Sequence, residues 1–154
     1  MSSAAWANLI QTVALVVGAA ALLFAAKQVR LARHGGGGAN VLQLWTFLQS
    51  ETARADGRTL YAAVARTGSS DPDAGNWTPA EVDAARHVCS TWSAAGLLAR
   101  RDLVPADVLL EGWGANIART WSVTADFVAW ERARRQDPGL WHGFEWLAAR
   151  AGER

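Results

Sequence analysis

The chain has 154 residues, 51% of them hydrophobic, with 15 basic and 14 acidic side chains. That length holds one domain and an appendage. Residues 1–38 carry Lys27, Arg30 and Arg33 and no acid (+3), while residues 39–154 carry 12 Arg and 14 acids (−2), so the larger part has no net positive field with which to hold nucleic acid. One cysteine, Cys89, excludes an intramolecular disulfide framework and a cysteine zinc cluster.

From Leu9 to Ala26 no residue is charged, and Gln11 and Thr12 are the only polar ones. Extended back to Ala5, the run would measure about 33 Å as a helix, against about 30 Å for the hydrocarbon core of a bilayer. The run predicts a single transmembrane anchor, with Trp6 at the interface. A cleaved signal peptide is disfavoured, because the positive charges follow the run rather than precede it. Lys27, Arg30 and Arg33 place the following domain in the cytoplasm and the N-terminus outside, in a bacterial inner membrane. Ala14, Gly18, Ala21 and Ala25 continue a stripe that starts at Ala7 and Gln11 and reaches Gln28. Small residues at this spacing let membrane helices approach closely, so the stripe predicts helix–helix packing and a homo-oligomer.

The organisation expected is an anchor with its basic turn over residues 1–34, a linker over 35–39 and a helical domain over 40–154. Gly35 to Gly38 lack the Lys-Ser or Lys-Thr pair and the preceding strand of a phosphate loop, and read as a flexible joint. Asn40 is expected to cap a helix with Val41, Leu44, Trp45 and Leu48 on one face. A second helix covers about 52–66, and the Gly-, Ser-, Asp- and Pro-containing stretch 67–77 reads as a loop. Thr78, Pro79 and Glu81 spell a capping box for a third helix, which runs through Val82, Ala85, Cys89, Trp92, Gly96 and Ala99. A turn at 102–104 precedes a fourth helix, from Pro105 to about Thr120, and a fifth, about 123–135. Asp137-Pro138-Gly139 separates the latter from a last amphipathic helix with Leu140, Trp141, Phe144, Leu147 and Ala148. No strand-like alternation persists, so the domain is expected to be an all-α bundle of about five or six helices.

The stretch from Trp77 to Ala151 resembles a family of uncharacterised bacterial proteins. The resemblance is carried by Val88-Cys89, Gly96-Leu97-Leu98, Leu103-Val104-Pro105, Trp113-Gly114, Arg119, Trp121, Glu131-Arg132 and Phe144-Glu145-Trp146-Leu147-Ala148. It implies one N-terminal transmembrane helix and a small cytosolic helical domain of unknown function, and it implies no activity.

Eight of the nine tryptophans lie beyond the linker, mostly at core spacing, which predicts a Trp-rich core. Trp113, flanked by Gly112 and Gly114, is the best candidate for a pocket or groove, since each glycine costs a helix about 1 kcal/mol against Ala. Close packing against Gly96 is the expected structural reason for that pair. Arg119, Arg132 and Arg135 are candidate contacts for an acidic partner or phosphate, although a solvated helix end also explains the Arg132 cluster. His34, His87 and His142 show no metal-ligand spacing, and Cys89 reads as a buried structural thiol. No catalytic set, cofactor motif or metal site emerges. The reading is a membrane-anchored, non-enzymatic interaction module with the bilayer and an unidentified protein as partners. The alternatives are a homo-oligomeric membrane assembly that could line a pore, and an enzyme at the membrane face.

Overall fold

A computed structural model describes residues 37–153, with side chains from residue 41 onward. The expected anchor (Trp6, Lys27, Arg30, Arg33) and the packing stripe (Ala14, Gly18, Ala21, Ala25) lie outside these residues. Six helices make up the described part: α1 (Gly37–Leu48), α2 (Glu51–Thr67), α3 (Pro72–Gly75), α4 (Pro79–Arg100), α5 (Ala106–Arg135) and α6 (His142–Gly152). No strand occurs among the described residues, as the sequence pattern predicts. None of these helices is long and apolar enough to cross a membrane.

Local chemistry accounts for most of the boundaries. Ser50 caps α2 by accepting from the Ala53 N–H, and Gly68 closes that helix in the left-handed region at φ 69°. Thr78 and Glu81 form the expected capping box, with the Thr78 hydroxyl accepting from the Glu81 N–H and the Glu81 carboxylate from the Thr78 N–H. Four boundaries differ from expectation, one of them at α6, which starts only at His142, so Leu140 and Trp141 precede the helix and Trp141 takes the left-handed conformation at φ 57°. Helix α1 begins at Gly37, so Asn40 sits inside the helix and does not cap it. The expected loop over 67–77 contains α3, whose start is capped by Asp71 accepting from the Asp73 and Ala74 N–H groups. The expected fourth and fifth helices form one 30-residue helix, α5. Between Thr120 and Val123 there is no Gly or Pro to break it, and Thr124 satisfies its hydroxyl by donating to the Thr120 carbonyl at 2.8 Å.

Helix α4 is the centre of the bundle and packs against α2, α5 and α6. Its crossing with α6 is made backbone to backbone: a Cβ on Gly96 would run into the Gly143 carbonyl, and one on Gly143 into the Ser93 carbonyl. Gly96 is therefore paired with Gly143 and not with the Gly112–Gly114 segment. The tryptophans build the core as expected, around a fully buried Phe127. Trp77, Trp130 and Trp141 stack near it with ring centroids at 5.7, 5.9 and 5.7 Å. Their indole N–H groups donate to Thr67, Asp73 and Ser90 respectively, so the aromatic bulk is buried without leaving a donor unpaired.

Candidate functional site

Two surface features stand out. The first is α1, whose twelve residues include no charged side chain. Leu44 turns inward and is buried. Trp45 rests on Trp113, with ring centroids 4.0 Å apart, and lies 3.4 Å from where a Cβ on Gly112 would be. The close approach at Gly112 is thus to an indole ring, while Gly114 faces open space. Leu42 and Phe47 are left 70% and 53% exposed. Five residues apart, they point to different sides of a helix that carries no charge between them.

The second feature is a cleft of about 580 Å³ floored by Val88, Thr91 and Trp92 of α4. Arg54, Arg58 and Tyr61 of α2 form one wall, and Asn116, Arg119 and Thr120 of α5 the other, with Leu48 at one end. Tyr61 and Thr120 span it through a 2.9 Å hydroxyl–hydroxyl hydrogen bond. Thr120 Oγ1 also lies 3.4 Å from Asn116 Oδ1 on the same helix. The Arg119 guanidinium lies over the Tyr61 ring, 5.1 Å from its centroid. His87 Nδ1 sits 3.4 Å from an Asp56 carboxylate oxygen at the margin, where a second, more apolar depression of about 350 Å³ adjoins.

Of the arginines singled out from sequence, only Arg119 faces this cleft. Arg132 donates to the Leu140 carbonyl at 3.0 Å and to Glu145 at 2.9 Å. Arg135 donates to Glu131 at 2.6 Å, as do Arg134 and, from α4, Arg86. Glu131 is fully buried, and these guanidinium groups, Arg134 foremost, hold its carboxyl down at about 2 despite the burial. The Arg132 cluster is therefore a latch that joins the end of α5 to α4 and α6. Arg58 lowers Glu51, the Thr78 N–H followed by Arg66 lowers Glu81, and Arg132 lowers Glu145. Each of these carboxyls is tuned toward the ionised form, the opposite of what a proton donor at neutral pH needs.

Cys89 is fully buried and its thiol is pushed up to about 12 by that burial, which fits the structural role expected for it. Among the described residues no group of His, Cys, Asp and Glu is arranged to hold a metal ion. Sequence reasoning missed Tyr61, Asn116, Thr120 and Glu131. For Glu131 the spacing to Arg134 and Arg135 was visible. For the cleft residues no local pattern joins positions 59 apart.

Among the described residues, fold and site together define an all-helical domain with an uncharged apolar helix at its N-terminal edge and a ligand-sized cleft of mixed lining beside it. A family model described as Domain of unknown function (DUF4760) matches residues 9–151, and the chain belongs to that family. No curated protein and no solved structure matches it.

Proposed function

We propose that this protein is a membrane-tethered, non-enzymatic interaction module that docks another protein on α1. The observation that carries the reading is the uncharged α1 with Leu42 and Phe47 exposed beside the half-exposed Trp45. Leu42, Trp45 and Phe47 sit on different sides of a helix that carries no charge, and large apolar and aromatic side chains in uncharged surroundings are the composition of an interface core. The tether is the apolar run 9–26, and the family match begins at its first residue, which supports treating run and bundle as one unit. Lys27, Arg30 and Arg33 favour a cytoplasmic bundle and an external N-terminus, as in a bacterial inner membrane.

The test is recovery of a defined partner from membranes in mild detergent by the full chain, against the double variant Leu42→Glu, Phe47→Glu. Both positions are exposed, so the variant keeps its fold and loses the partner. A partner retained by the double variant would refute α1 as the docking surface. A second reading, a homo-oligomer packed through Ala14, Gly18, Ala21 and Ala25, draws on the stripe in the sequence. Replacing Gly18 and Ala21 by Leu and finding unchanged cross-linked bands would remove it.

A further inference from the structure

We propose that the cleft between α2, α4 and α5 binds a small organic anion, a phosphate or carboxylate carried on an apolar body. Arg119 and Asn116 take the anionic group, and Leu48, Val88 and Trp92 take the body. This goes beyond the docking role of α1 and stands whatever covers that helix.

The volume of about 580 Å³ is that of a small-molecule site. The charged groups lining it are Arg54, Arg58, Arg119 and Asp56, with His87 at the edge. Arg54 and Arg58 share the one carboxylate of Glu51, at 3.6 and 2.7 Å, and Asp56 lies 3.4 Å from His87 Nδ1, so each of these side chains already has a neighbour to hold it. Arg119 differs: among the described residues no carboxylate pairs with it, and its contact is the face of Tyr61. A guanidinium over a ring keeps N–H groups for a carboxylate or phosphate, which it can bind in bidentate fashion.

Asn116 and Arg119, three residues apart on α5, share a face of the helix. Asn116 Oδ1 lies 3.4 Å from the Thr120 hydroxyl, which in turn lies 2.9 Å from that of Tyr61, so the amide stands at the wall of the cleft. The Asn116 amide carries two N–H donors that can turn to an anion beside the guanidinium. Two adjacent donor groups over a floor of Val88 and Trp92 suit a ligand that is anionic at one end and apolar at the other.

The experiment titrates the full chain, in neutral phosphatidylcholine nanodiscs, with phenyl phosphate, inorganic phosphate and phenol, following the amide resonances of Gly57, Val88 and Thr120. Phenyl phosphate is expected to shift all three saturably, with each half-molecule binding more weakly. Arg119→Gln should weaken phenyl phosphate roughly tenfold, the scale of one lost charge-assisted hydrogen bond, and Arg119→Lys by less. Asn116→Ser gives a second variant that weakens binding through the other donor. Absence of saturable shifts, equal affinity for phenol and phenyl phosphate, or variants that titrate like the parent would overturn the site. Nanodiscs containing phosphatidic acid, with no added compound, separate the sources. The same shifts there identify a lipid headgroup as the anion, and shifts only with added phenyl phosphate identify a soluble one.

Discussion

Replacing Glu131 by Gln probes the latch that holds the long helix α5 against α4. The side chain is fully buried and accepts from Arg86 at 3.0 Å, Arg134 at 2.8 and 2.9 Å, and Arg135 at 2.6 Å. Its pKa falls from the usual 4.5 to about 2, with the Arg134 hydrogen bonds the largest cause and burial opposing them. A carboxyl displaced that far contributes about 3 kcal/mol to folding. Because the folded pKa lies below the unfolded one, the contribution is complete above about pH 4.5 and is lost as pH falls through 2. Gln keeps the shape and some of the accepting capacity but not the charge, so Glu131→Gln should cost about 3 kcal/mol at pH 7. The assay is urea unfolding followed by tryptophan fluorescence, for both proteins, from pH 7 down to pH 2 in steps of about 1 unit, the resolution the linkage slope requires. Glu51, Glu81 and Glu145 pair with arginines that do not touch Glu131, so their contributions should cancel in the difference between the two curves. A gap below about 0.5 kcal/mol at pH 7, the level of an ordinary surface substitution, would refute the reasoning. So would a gap that fails to shrink on acidification.

Three further outcomes follow from packing. Gly96→Ala should lower stability by roughly 2–3 kcal/mol in thermal unfolding, because its Cβ meets the Gly143 carbonyl, whereas Gly114→Ala, facing open space in mid-helix, should raise it by up to about 1 kcal/mol. Cys89, with its thiol at about 12, should resist iodoacetamide at pH 8 in the folded protein and react fully in urea, as mass spectrometry will show. Trp113→Ala should remove the ring on which Trp45 rests, cost roughly 2 kcal/mol and speed hydrogen exchange in α1 before any other helix.

What could be read from the sequence was what neighbouring residues decide among themselves. Thr78, Pro79 and Glu81 lie within one turn, and the capping box they spell is the one that forms. The all-helical class and the tryptophan core followed from periodicity, which survives in the packing around Phe127. The break expected near Thr120 failed because amphipathic pattern alone had to mark it, and α5 changes its buried partners along its length without interrupting its hydrogen bonds. The glycines show the same division. Their cost to a helix is a local quantity, but whether Gly112 meets Trp45 or Gly96 meets Gly143 is set by chain segments 47 or more residues away. Arg119, a candidate contact for an anionic group, lines the cleft, while the Arg132 cluster turns inward onto Glu131 and Glu145. Burial of Glu131 depends on Arg86, 45 residues earlier, and no spacing rule connects the two.

The central claim is that α1 is a docking surface, and photo-cross-linking from position 47 tests it most directly. A photoreactive phenylalanine analogue replaces Phe47 in the full chain in native membranes, with the same analogue at the exposed Arg101, at the far end of α4, as control. The account predicts one discrete heterologous product from position 47, absent from the control and abolished by Leu42→Glu. No product from position 47, or the same products from both positions, would contradict it.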